Sequence, residues 1–327
     1  MHAGLEFGST GWRTGIVVAG HEDNAGLRGA LARNEPMAAH TSWRAGGAAD
    51  RFYVPADVDD LSRFLAAQDR DEPLLWLGLG SNVLVRDGGI PGTVVCVSGA
   101  LSELGSDGGR RVRAAAGVAC AKIARFGAAC SLSGAEFLAG IPGTVGGALA
   151  MNAGAFGSET WDIVSSVDTM DRHGRCHKRG RSEFRIAYRS VGQPAENEWF
   201  IAAEFELQPD PSGAAAVRIR DLLARRAETQ PTGVFSCGSV FRNPPGDFAG
   251  RLIEASGLKG RRIGRAVVSE KHANFIINEG GATAAEIEEL IQLVQKEVQE
   301  RTGVRLETEV RIVGRGGAPT TEDRRGR

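Results

Sequence analysis

Charge of one sign, tyrosine, paired cysteines and long apolar runs are all scarce in this chain. Thirty-nine Lys and Arg against 40 Asp and Glu leave a net charge of −1. Nothing therefore favours nucleic acid or an anionic membrane surface, and an anionic substrate must be met by local Arg and Lys. The five cysteines, Cys96, Cys120, Cys130, Cys176 and Cys237, are odd in number and share no paired spacing, which suits reduced thiols in a cytosol. His173, Cys176 and His177 cluster but lack a second ligand pair, so no metal site is expected. No apolar run approaches the roughly 20 residues of a membrane span. The N-terminal run Ile16–Ala19, with Glu22 and Asp23 behind it, is too weak for a secretory signal.

Glycine is what the chain has in excess. The stretch Leu138–Gly157, LAGIPGTVGGALAMNAGAFG, carries six glycines among small apolar residues. Glycine costs backbone entropy, so such a run needs a reason. Tight turns between buried elements are one. Backbone N–H groups lined up on an anion such as a pyrophosphate are another, and composition alone favours neither. A second stretch, Leu77–Val85, reads LGLGSNVLV, and two such loops suggest one extended ligand held from both sides. The doubly wound dinucleotide fold is excluded, because Val83 stands in place of the third glycine and a strand follows.

With 327 residues the chain has room for two or three domains. Residues 1–35 read as an N-terminal extension. Strand Arg51–Val54, a helix capped by Asp57 with Val58, Leu61, Phe64 and Leu65 on one face, and strands Leu74–Leu77, Val83–Val85 and Thr93–Val97 form a first lobe. Strand Val112–Gly117, helix Cys120–Leu132, the glycine stretch as loop, a hairpin around Asp171–Gly174 and strands Phe184–Tyr188 and Phe200–Leu207 form a second. Pro209 and Pro211 mark a boundary. Beyond it come helix Ala214–Ala227, a short helix Ala249–Ser256 and strand Asn274–Asn278. A helix opened by a Thr283/Glu286 capping box and stopped at Gly303 follows, then strand Leu306–Val313.

Six motifs now occur in order: GLGSNVLVRDGG, AGIPGTVGGALAMNAGAFG, AYRS, GSVFRNP, SEKHANF and LETEVRIVG. Together, from about His40 to Gly314, they resemble the UDP-N-acetylenolpyruvoylglucosamine reductase family. The resemblance implies an α+β fold. A two-lobed FAD-binding domain of the PCMH or vanillyl-alcohol-oxidase type would cover 36–209, with lobes about 36–100 and 101–209. A C-terminal α+β substrate-binding domain would cover 210–314, and 315–327 would be a disordered basic tail. It further implies a cytoplasmic, monomeric oxidoreductase of peptidoglycan precursor synthesis that uses FAD and NADPH on a UDP-sugar enolpyruvate. Ala48 follows Gly46-Gly47 where related oxidases carry a tethering histidine, so the FAD is expected to be non-covalent. Neither Tyr53 nor Tyr188 lies between Arg189 and Ser239, which resembles the family form without a tyrosine-bearing loop. A different flavin oxidase or dehydrogenase on the same fold is the rival reading.

Residue by residue, the resemblance implies Arg189, Ser239 and Glu309 as catalytic. Ser239 would be the proton donor rather than a turn cap, and Glu309 rather than Glu307 the acid. It implies cofactor binding by Gly78, Gly80, Ser81 and Asn82 in the first loop. In the second it implies Gly140, Ile141, Pro142, Gly143, Gly146, Gly147, Asn152 and Gly154. Substrate binding is implied for Arg225, Asn243, Lys259 and His272. One departure stands out: Gly264-Arg265-Ala266 replaces the family's usual Gly-Gly-Ala, which puts the local backbone in doubt.

Overall fold

Alternating apolar residues build the first sheet. In the computed structural model, which describes residues 26–316, β1 (Ala30–Pro36) pairs antiparallel with β2 (Ala48–Val54). β2 pairs parallel with β5 (Ile90–Cys96) and β5 with β3 (Leu74–Leu77), giving the order β1-β2-β5-β3. A parallel pair needs a crossover, and α1 (Val58–Ala66) lies in it. Asp57 caps α1 by accepting from Asp60 N at 2.9 Å, and Leu61, Phe64 and Leu65 are buried. The range read as an extension, 1–35, thus already contains most of β1. Its polar run Arg33-Asn34-Glu35 concealed a strand that buries Ala32. Residues 1–25 of that extension and 317–327 of the tail lie outside the described residues, whereas Arg315 is fixed by both carboxylate oxygens of Asp50 at 3.1 and 2.8 Å.

The second lobe is a five-stranded antiparallel sheet. Its order is 176–180, 164–171, 198–206, then β7 (Arg111–Ala115) and β6 (Leu104–Ser106). Helices α2 (Cys120–Ala129) and α3 (Val145–Met151) add to its core, where Ile123, Phe137, Leu149, Trp161 and Phe205 are buried together. α4 (Ala214–Thr229) joins the same core through Ile219, and Arg218 reaches Glu136 at 2.6 Å. The boundary expected at 209/210 is therefore misplaced. Pro209 ends a strand, but Asp210 accepts from Ala215 N at 2.7 Å and turns α4 back onto the second lobe.

A separate core gathers residues from Cys237 onward around Trp43, Ala45 and Leu84 of the first lobe. It contains α5 (Ala249–Ala255), a small sheet of 262–263, 266–268 and 276–278, and α6 (Ala284–Thr302). Thr283 and Glu286 form the capping box, and Gly303 stops α6 at φ 74°. Gly264 takes the left-handed turn at φ 52° and Arg265 is exposed beside it, so the Gly-to-Arg departure is accommodated without strain at residue 265. Of the strand expected over 306–313, only Arg311–Val313 forms. It pairs parallel with β4 (Val83–Val85), directly after the first glycine loop. Among the described residues, no helix is long and apolar enough to cross a membrane.

Candidate active site

The two glycine stretches face each other across a cavity of about 620 Å³. On one side is the turn 78–82. Gly80 holds φ 67°, and a Cβ there would stand 2.0 Å from His40 O, so only glycine fits. The N–H groups of Leu79, Gly80, Ser81 and Asn82 find no acceptor among the described residues. On the other side, the stretch expected as loop contains α3. Thr144 takes the extended N-cap conformation, and small apolar residues then allow a helix in spite of Gly146 and Gly147. Gly146 is pressed on Ala116, where a Cβ would sit at 3.1 Å, whereas Gly147 faces open space with nothing nearer than Thr144 Oγ1 at 3.9 Å. All the expected cofactor-loop residues line the cavity except Asn152. Asn152 is buried and stops α3 in the left-handed conformation at φ 44°. Its amide donates to Glu159 Oε2 at 2.6 Å and Ala187 O at 3.3 Å, and accepts from Trp161 N at 3.2 Å, so both of its N–H groups are engaged within the protein. Trp76 and Trp199, one from each lobe, stack at 4.9 Å and 3° along the same cavity.

Arg189, Ser239 and Glu309 are brought together at the cavity wall. Arg189 sits in the left-handed region at φ 52°. Its Nη1 donates to Asn152 O at 3.3 Å and its Nη2 to Gly154 O at 2.9 Å. Its Nε makes an ion pair with Glu309 Oε1 at 3.1 Å. One N–H remains on each terminal nitrogen, since a guanidinium carries five. Segments 239–242 and 307–310 run side by side: Glu309 N donates to Val240 O at 2.8 Å and Arg242 N to Glu307 O at 2.9 Å. Glu309 thus lies against Val240, the neighbour of Ser239, and both Ser239 and Glu309 line the cavity. The Ser239 hydroxyl makes no hydrogen bond within the described residues, so it caps no turn. Burial raises the carboxyl pKa of Glu309, with Arg189 and Arg242 pulling the other way. Glu307 is separated from Glu309 by depth: its side chain is 77% exposed against 16%.

Two family models match the chain. One, described as the C-terminal domain of UDP-N-acetylenolpyruvoylglucosamine reductase, covers residues 230–313, and one described as an FAD binding domain covers 49–180. A UDP-N-acetylenolpyruvoylglucosamine reductase of Methylococcus capsulatus is 60% identical over 291 residues, 89% of this chain and 95% of that one. The protein of the same description from Legionella pneumophila (strain Corby) is 56% identical over 294 residues, 90% and 95% of the two chains. The chain belongs to the UDP-N-acetylenolpyruvoylglucosamine reductase family. The crystal structure of the Thermus caldophilus reductase agrees in fold, with a TM-score of 0.75 at 31% identity over 88% of this chain and 100% of that one. The fold is thus the two-lobed FAD-binding architecture with a C-terminal α+β unit, and the cofactor is FAD.

The cavity suits FAD on its own evidence. Unpartnered N–H groups at 79–82 oppose the open face of Gly147, a cradle that a side chain would fill. The residues expected to bind substrate are placed less uniformly. Arg225 is exposed on α4, and it is Arg226, with Gln230, that lines the cavity. Burial lowers the guanidinium pKa of Arg226, and its Nε donates to Gln230 Oε1 at 3.3 Å. The helical period carried this signal, because 219, 223, 226 and 230 share one face and Ile219 is core. Asn243, Lys259 and His272 do not line the cavity. Asn243 Oδ1 accepts from Ala249 N at 3.0 Å and so caps α5. Lys259 Nζ is paired with Glu254 at 2.6 Å. His272 accepts from Asn274 N at 3.3 Å through Nδ1, and burial lowers its pKa.

Proposed function

We propose that the chain reduces UDP-N-acetylglucosamine enolpyruvate to UDP-N-acetylmuramate with electrons from NADPH. It acts as a cytoplasmic monomer in the supply of peptidoglycan precursors. The observation that carries this reading is the grouping of Arg189, Ser239 and Glu309 on one glycine-lined cavity. FAD, which the two glycine stretches 78–82 and 140–154 would hold, would supply the hydride chemistry between NADPH and the β-carbon of the enol ether. Arg189 holds the substrate carboxylate with its remaining terminal N–H groups, and its fixed charge opposes the negative charge that builds there. Glu309 is held toward its protonated form by burial, and a bound carboxylate would push its pKa further up. It therefore shares or keeps a proton beside the developing enolate. Ser239, with its hydroxyl free, gives a proton to the α-carbon at contact distance. Arg226 reaches the cavity as the cation for the nucleotide phosphates.

Ser239→Ala is the test. NADPH should still bleach the flavin at a near-normal rate, since that step protonates no carbon. Reoxidation by the enolpyruvyl nucleotide should fall by at least about a hundredfold, the low end for a positioned acid. Ser239→Cys should recover part of that rate. Rapid-mixing absorbance resolves the two steps, and equal slowing of both, or of neither, removes the proton-donor role.

A further inference from the structure

Arg242 is a charged side chain that the scheme above does not use. Its backbone pairs with the Glu309 segment, through Arg242 N to Glu307 O at 2.9 Å and a bridge between Phe241 and Thr308. Its side chain reaches the arginine that would hold the substrate. Nη2 donates to Arg189 O at 3.3 Å. Nη1 lies 3.9 Å from Glu307 Oε2, a long contact to a carboxylate that is 77% exposed. Nε is buried with no hydrogen-bond partner. A buried N–H left unpaired is costly unless the geometry gains something else.

Two consequences follow from the placement. The first is mechanical. A non-glycine residue at positive φ persists only where its surroundings hold it, and Arg189 sits at φ 52°. The Arg242 guanidinium supplies a donor to the carbonyl of that residue. The second is electrostatic. Glu309 is faced by Arg189 from the 187–190 hairpin and by Arg242 from the GSVFRNP segment. Glu159 lies across Arg189 at 4.0 Å, and Glu307 and Arg311 flank Glu309 on its own segment. Arg242 is thus one of two cations working against burial at this carboxyl.

We infer that Arg242 is a positioning residue for substrate reduction: it fixes the left-handed backbone of Arg189 and shares with it the control of the Glu309 proton. This inference rests on the proposed function. Charge and anchor can be separated by substitution. Arg242→Gln removes the charge, and Arg242→Lys keeps it while losing the planar fork that reaches the Arg189 carbonyl.

In the FAD-loaded protein, NADPH should reduce the flavin of both variants at the parent rate. Reoxidation by the enolpyruvyl nucleotide should slow by about tenfold to a hundredfold in both, as for a misplaced reacting group. The apparent pKa of that step should rise by about one unit in Arg242→Gln, the shift expected when a nearby opposite charge is lost, and stay near the parent value in Arg242→Lys. Carboxyl 13C NMR should show the same displacement at Glu309 with no substrate present. That measurement stands even if the parent fails to reduce the substrate, an outcome that would sink the proposed function instead. Parent-like reoxidation and an unmoved Glu309 titration in Arg242→Gln would overturn the inference, as would equal slowing of both half-reactions. If Arg242→Gln does not fold, Arg242→Lys decides alone, and an unchanged reoxidation rate there overturns it.

Discussion

Arg225 and Arg226 are adjacent in sequence and 100° apart on α4, which is enough to give them different work. Arg225 is exposed, while Arg226 borders the cavity, where burial lowers its pKa. A poorly solvated guanidinium binds a phosphate more strongly than one spread in water, and a charge-assisted hydrogen bond contributes about 1.5–3 kcal/mol. Arg226→Ala should therefore raise the KM for the UDP-sugar substrate by about tenfold or more with kcat little changed, the pattern of lost uniform binding. Arg225→Ala should stay within about twofold of the parent, since surface changes away from contacts usually cost little. Steady-state kinetics on the two variants decide it, and equal KM changes would return the phosphate role to the pair as a whole. Asn243 teaches the converse. It sits in a recognisable motif, yet its carbonyl oxygen caps α5, a role that depends on where the helix starts and not on the motif.

At the scale of elements, α3 makes the clearest demand. Gly147 lies inside a helix, where alanine would be favoured by about 1 kcal/mol, and the space beside it is open. Gly147→Ala should leave the apoprotein as stable as the parent or more so, and weaken FAD by filling the cradle. Thermal unfolding of the apoprotein and titration with FAD measure the two effects separately, and unchanged FAD affinity would remove Gly147 from the cofactor surface. Much of this architecture was legible in the sequence. Periods in 58–65 and 287–298, the caps Asp57 and Thr283 and the turn at Asp171–Gly174 stand in the structure as read. α3 was not legible, because its glycines argue for loop and only packing against Ala116 favours the helix. The strand around Glu309 was over-read for the opposite reason. Its β-branched alternation is real, but two separate partners, Val240 and β4, take its backbone in turn and leave regular pairing only at 311–313. Among site residues, those held by backbone geometry were easiest to find, and those set by the face of a helix needed the helix first.

The whole molecule is joined by more than the chain at residue 230. Trp43 Nε1 donates to Ile276 O at 2.8 Å, and Asn278 Nδ2 donates to Trp43 O at 2.8 Å. Trp43, Ala45 and Leu84 belong to the same buried core as α6. Beside them, Arg86 holds Glu288 with two hydrogen bonds at 2.9 and 2.8 Å. Asp87, from the turn after β4, accepts from Ala284 N at 3.0 Å and Ala285 N at 2.9 Å. A carboxylate of the first lobe therefore satisfies the first turn of a helix in the C-terminal unit, where its charge also suits the helix dipole. Asp87→Ala should cost about 0.5–2 kcal/mol, the range for a lost cap, and lower the Tm by a few degrees. Asp87→Asn, which keeps one acceptor, should recover part of it. Calorimetry also distinguishes how the parts are coupled. If the shared core around Trp43 binds the units, Asp87→Ala unfolds in one transition displaced as a whole. If Asp87 is the main fastening, a C-terminal transition should split off below the rest. The burial of Trp43 and Leu84 inside the C-terminal core predicts the single transition, in the apoprotein as well as with FAD bound, because neither contact involves the cofactor cavity.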